Sequence, residues 1–85
     1  MLTSLLNAMN VNKTDLSNKM EFGSKSTLYS RLDAPENFTL AEMEKLSVYL
    51  EMSVKDLSEI IYGNKATYMR HINRIANIHL KQQVK

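Results

Sequence analysis

Between residues 12 and 32, the sequence NKTDLSNKMEFGSKSTLYSRL sets two short helical patterns against each other across a tight turn. Asn12 is placed to cap a helix whose third residue is Asp15, and Val11 with Leu16 forms the apolar staple that fixes a helix entry. Leu16 and Met20 lie one turn apart on a single face. Phe22 fills the corner, Ser24 is placed to cap a second helix, and Leu28 with Leu32 gives that helix an inner side. Lys25, Ser26, Thr27, Tyr29 and Arg31 are left pointing outward. Two helices joined by a three- or four-residue turn, the second polar and basic on its free side, make a helix-turn-helix candidate. The outward side of the second helix is then the part able to read DNA.

The rest of the chain reads as helix. Five helices fit residues 1–62, and no segment alternates convincingly enough for a strand. The first covers about residues 2–10, with Leu2, Leu5, Leu6 and Met9 at helical spacing. Residues 33–37 form a loop, because Pro35 lacks an N–H and restricts the residue before it. Thr39-Leu40-Ala41-Glu42 is a capping box, followed by Leu40, Met43, Leu46 and Leu50 as an apolar stripe. Ser53-Val54-Lys55-Asp56 repeats the start signal for a short fifth helix with Leu57, Ile60 and Ile61, which stops at Gly63-Asn64. Residues 66–82 contain no breaker and predict a sixth helix. Met69, Ile72, Ile75, Ala76 and Leu80 line one side of it, and Arg70, Asn73, Arg74, Asn77 and Lys81 lie mostly on the other. Leu16, Leu28, Leu46 and Leu57 are expected in the core, with Met9, Met20, Met43 and Met52 as adaptable fillers.

Eighty-five residues suffice for one small core. No apolar run approaches the ~20 residues of a membrane span, and the start MLTSLLNAMNV lacks the pattern of a signal peptide. There is no cysteine, so disulfide staples and thiolate metal sites are excluded. These features suggest a cytoplasmic protein. Charge is divided unevenly: residues 1–62 carry six basic side chains against nine acidic, and residues 63–85 carry five basic against none. A basic tail on an acidic body suggests an anionic partner, and fits a solvated helix face equally well. Nothing recommends catalysis. His71 and His79 stand eight residues apart, twice the spacing of helical metal pairs, and the carboxylates sit at helix starts and on exposed faces. Neither enzyme activity nor a cofactor is expected.

The order of these signals resembles the lambda-repressor-like, or Xre/Cro, family of five-helix DNA-binding domains. NKTDLSNKMEF (residues 12–22) is similar to the family's second helix and turn, and SKSTLYSRL (24–32) to its recognition helix. FTLAEMEKLSVYLEMSVKDLSEII (38–61) is similar to its fourth and fifth helices in spacing and cap placement. The resemblance covers residues 1–62 and implies an all-α, five-helix helix-turn-helix domain, to which residues 63–85 add a C-terminal helix. Where the family carries glycine in a left-handed turn, this chain has Glu21 and Glu51. Left-handed backbone costs a non-glycine residue roughly 1–2 kcal/mol. Gly23 lengthens the first of these turns by one residue and offers it flexibility.

The resemblance implies a regulator that occupies a duplex operator, with the third helix in the major groove. Ser24, Lys25, Ser26, Thr27, Tyr29 and Ser30 would then meet base edges and nearby phosphates. Arg31 has the fork that bonds guanine, or pairs with Asp33 or Glu36. Lys13 matches a backbone-contacting position of the family. The Tyr29 ring has a second use, covering the edge of the core. Three roles suit the tail: completing its own core, pairing residues 66–82 with a second copy as a homodimer, or tracking phosphates through Arg70, Arg74 and Lys81. A membrane role fits poorly, since the tail lacks Trp and Phe. The acidic body and altered turn also suit a protein-binding module that keeps the fold and binds DNA weakly or not at all, as an antitoxin or regulator-binding protein would.

Overall fold

The computed structural model describes the backbone of residues 1–83 and the side chains of residues 1–78. The chain is all-α, with α1 (Leu2–Ala8), α2 (Lys13–Lys19), α3 (Lys25–Asp33), a 3-10 turn (Pro35–Asn37), α4 (Leu40–Leu50), α5 (Val54–Ile61) and α6 (Lys65–Gln83). No strand occurs among the described residues.

Four of the helices end in the same way. After α1, α2, α4 and α5 the backbone turns left-handed at Asn10 (φ 56°), Glu21 (61°), Glu51 (56°) and Gly63 (89°). The N–H of each of these residues donates to the carbonyl three back, and the next N–H to the carbonyl five back. The pairs are Asn10→Asn7 with Val11→Leu6, Glu21→Asn18 with Phe22→Ser17, Glu51→Val48 with Met52→Ser47, and Gly63→Ile60 with Asn64→Glu59, all between 2.8 and 3.2 Å. This Schellman closure satisfies carbonyls that the helix end leaves open. It stops α1 at Ala8, two residues short of the sequence expectation. Asparagine tolerates the left-handed region; the two glutamates occupy it against their preference.

Helix entries repeat as well. An apolar residue followed by a cap opens α2 (Val11-Asn12), α4 (Phe38-Thr39) and α5 (Met52-Ser53). Asn12 Oδ1 accepts from the N–H groups of Thr14 (2.8 Å) and Asp15 (3.1 Å). Ser53 Oγ accepts from Asp56 N–H at 3.0 Å. At α4 the capping box is complete: Glu42 N–H donates to Thr39 Oγ1 (3.1 Å) and Thr39 N–H to Glu42 Oε1 (3.0 Å). Val11, Phe38 and Met52 pack on the core and stand at the staple position opposite Leu16, Met43 and Leu57.

The main core joins Leu2, Leu6, Leu16, Met20, Leu28, Leu32, Phe38, Leu46, Leu50 and Leu57. Leu40 is not in it. As the first residue of α4 it is 66% exposed, and Phe38 takes the inward place one step before the cap. Leu5 and Ile60 are fully buried outside this cluster, on the two helices that α6 packs against.

The buried side of α6 differs from its predicted stripe. Its inner stations are Thr67 and His71, at 5% and 6% exposure, while Met69 and Ala76 are exposed and Ile72 and Ile75 half-buried. Leu80, His79 and Lys81 lie outside the residues whose side chains are described. The reason is on α5, where Asp56 and Glu59 stand one turn apart on the side that α6 meets. Thr67 Oγ1 donates to Glu59 Oε2 at 2.8 Å, and Asp56 Oδ2 takes both His71 Nε2 (2.9 Å) and Arg70 Nη2 (2.8 Å). Polar partners offset the cost of burying polar groups, so the helix turns those groups inward. Asn64 begins α6, its Oδ1 accepting Thr67 N–H at 3.2 Å. At 1.5 Å per residue α6 is about 28 Å long; from Asn73 to Ile78 only Ile75 is not exposed. The helix thus outruns the body, and the molecule measures 41 × 25 × 19 Å.

Candidate nucleic-acid interface

The helices α2 and α3 pack together and send Leu16, Met20, Leu28 and Leu32 into one core. The joint between them differs from the others by one residue. Where α1–α2 and α4–α5 run left-handed residue, apolar residue, cap, here the order is Glu21, Phe22, Gly23, Ser24. Gly23 does not take the left-handed station, since its φ is not positive, and nothing stands within 4 Å of where a Cβ would be. Glu21 takes the strain itself, and Gly23 acts as an inserted spacer.

The spacer has two local effects. Phe22 is pushed one place away from the staple position, although its ring still packs on the core. Ser24 is extended (φ −160°, ψ 160°) and its side chain makes no cap hydrogen bond, contrary to the sequence expectation. The first-turn N–H groups of α3 therefore have no side-chain acceptor from Ser24. The turn is tied down from the other side, where Lys45 Nζ on α4 donates to Glu21 Oε2 at 2.7 Å. That bond holds the Glu21 carboxyl below the usual carboxylate range.

The outward side of α3 presents Lys25, Ser26, Tyr29 and Ser30, all exposed, with Thr27 half-buried at its edge. Tyr29 is 49% exposed, so about half of its surface is open to solvent. Hydroxyls that donate and accept, beside an ammonium that only donates, form a hydrogen-bonding surface. Arg31 is different. Its Nε donates to Glu42 Oε1 at 3.1 Å, with both side chains less than a third exposed. The carboxylate that holds it is Glu42, eleven residues on, and not the nearer Asp33 or Glu36. Burial of Glu42 opposes its ionisation, but the Thr39 N–H and the Arg31 guanidinium outweigh that and hold its pKa below the ordinary value. Lys13, in the first turn of α2, rests against Asn7 Oδ1 at 3.3 Å.

Comparison with protein-family models, with curated proteins and with solved structures finds no match to this chain.

Two further surfaces complete the exterior. A shallow groove between α2 and α4 is lined by Lys19, Glu44, Lys45, Val48 and Tyr49, with Val48 at 79% exposure. On α6, Arg70, Asn73, Arg74 and Asn77 line a second groove that ends at Ile78. Arg70 and Arg74 thus share one face, as their spacing predicts, and Lys81 lies outside the described side chains. The Asp56–Arg70–His71 and Thr67–Glu59 contacts were not foreseen. Their one trace in the sequence is a matching of intervals, three residues on α5 and four on α6, which apolar periodicity does not register.

Proposed function

We propose that this protein is a sequence-specific DNA-binding regulator of the lambda-repressor-like, Xre/Cro type, with α2 and α3 as its helix-turn-helix. The observation that carries the reading is the division of α3: Leu28 and Leu32 are buried, while Lys25, Ser26, Tyr29 and Ser30 stand exposed without side-chain hydrogen bonds among the described residues. A helix anchored on one side and hydrogen-bonding on the other suits insertion into a major groove, where base edges supply complementary donors and acceptors. The uncapped start of α3 supports the same docking, since free N–H groups at a helix start favour phosphate. No chemistry is performed; regulation follows from occupancy of the site.

Selection of bound duplexes from a randomised pool tests this directly. Wild type is expected to enrich a defined sequence, and Lys25→Ala/Ser26→Ala to lose the preference while keeping wild-type circular dichroism. Enrichment of no sequence at low salt would refute the reading. The groove between α2 and α4, with its exposed Val48, favours a second reading in which the fold docks a protein. Failure of the selection would turn attention to that surface.

A further inference from the structure

We propose that the outer face of α6 is a second nucleic-acid contact, a sequence-independent track for the phosphate backbone of duplex DNA. The need for one comes from α3. Of its two basic residues, Arg31 is held by Glu42, which leaves Lys25 as the cation with no carboxylate partner among the described residues. Affinity for duplex DNA comes mainly from neutralised phosphates, and one cation supplies little of it.

The face on α6 has the composition that such a track requires. Arg70, Asn73, Arg74, Asn77 and Ile78 follow at intervals of three, one, three and one, so they lie along one side of the helix. Arg70 and Arg74 are one turn apart, about 6 Å along the axis. Arg74 is exposed and bonds no carboxylate among the described residues. Arg70 is oriented by Asp56 through Nη2, which leaves the rest of its fork open to an outside oxygen. Asp56 is itself shared with buried His71, so the acid at this junction is turned inward. The Asn73 amide adds donors between the two guanidinium groups, and the Asn77 amide adds others beyond Arg74. Residues 63–85 contain no acidic residue to oppose an anion.

The same geometry argues against a lipid surface. An interfacial helix needs its apolar side free, but the first turns of α6 pack their inner side on α1 and α5 and carry Thr67 and His71 there. The choice of duplex DNA as partner rests on the reading of α3 above, although the contact itself requires no sequence.

Fluorescence anisotropy with a random-sequence duplex, over a range of salt, tests the proposal on the full chain. In wild type, log K should fall linearly with log salt. Arg74→Gln, which touches no internal bond, is expected to reduce the slope by roughly one unit, and Arg70→Gln/Arg74→Gln by roughly two. Asn77→Asp, which puts an anion on the track, should weaken random-duplex binding without altering the circular dichroism. An unchanged slope in both arginine variants would overturn the inference. So would wild-type binding to phosphatidylserine vesicles but not to duplex. Random-duplex binding that depends on Lys25 alone would refute the α6 contact and leave the α3 reading intact. Conversely, Arg74-dependent binding with no sequence preference would uphold the α6 contact and refute the α3 reading.

Discussion

Arg31 and Thr39 share one acceptor: Glu42 Oε1 takes the Arg31 Nε–H at 3.1 Å and the Thr39 N–H at 3.0 Å. A carboxylate that closes the start of α4 therefore also holds the last turn of α3. Arg31→Ala removes one bond from a largely buried pair and should cost about 1–2 kcal/mol of stability, measured by urea unfolding. Thr39→Ala removes a cap, at a cost of about 1 kcal/mol. Because both substitutions remove a partner of Glu42, one from its Oε1 and one from its backbone N–H, their combination should depart from additivity. An Arg31→Ala variant of wild-type stability would show that the pair contributes nothing.

Glu51 occupies a left-handed station (φ 56°) and makes no side-chain bond among the described residues. Glu51→Gly should therefore raise stability by about 0.5–1 kcal/mol, the relief of backbone strain less the added freedom of the unfolded chain. Glu21→Gly, at φ 61°, should gain less, since it also forfeits the bond from Lys45. Equal gains at the two sites would show that the Lys45 bond is idle.

The two glycines should respond in opposite directions to alanine. Gly23 has ordinary backbone and open space around its Cβ position, so Gly23→Ala should stabilise by about 0.4–1 kcal/mol. Gly63 sits at φ 89°, where a side chain is strained, and Gly63→Ala should destabilise by about 1 kcal/mol or more. Thermal unfolding of the two variants gives the comparison.

Asp56 supplies a pH dependence whose sign follows from its partners. The hydrogen bond to His71, and then that to Arg70, hold its carboxyl below the usual value. A depressed folded-state pKa contributes stability that is present above the unfolded value of about 3.9 and is lost as pH falls through the folded one. Asp56→Asn should therefore flatten the stability profile below about pH 4, and α6 should loosen first as wild type is acidified. Hydrogen exchange along α6 between pH 5 and 3 would measure it; protection that does not change across that range would contradict the assignment.

Ser17 is buried on α2, and its hydroxyl finds no partner among the described residues. Ser17→Ala should stabilise by about 1 kcal/mol, since an unpaired buried hydroxyl costs more than the methyl that replaces it. Loss of stability in that variant would mean that the hydroxyl is satisfied in solution.

Much of the architecture was legible because its signals are local. Asn12, Thr39 and Ser53 announce helix starts within three residues, and Leu16, Leu28, Leu46 and Leu57 fall into the core at helical spacing. Interactions between elements were not legible. Nothing around Arg31 points to Glu42, and the apolar residues of α6 give no sign of the two carboxylates that α5 offers its inner side. Ser24 misled for a third reason: a capping residue bonds only when the backbone enters at the right angle, and the spacer at Gly23 changes that angle.

The repeated joints bear on the order in which the chain folds. Each Schellman closure spans only six residues, and each cap and staple only a few more, so these corners can form before any distant contact exists. Corners at 9–12 and 51–53 carry both devices, and should be in place early, lowering the entropy that the core must overcome. The entry to α3 has neither a cap bond nor a staple, and has to wait for Leu28 and Leu32 to dock. We expect φ-values near one at Asn12 and Ser53 and near zero at Leu28 and Leu32. At neutral pH, α3, the helix proposed to read bases, would then be the last to settle.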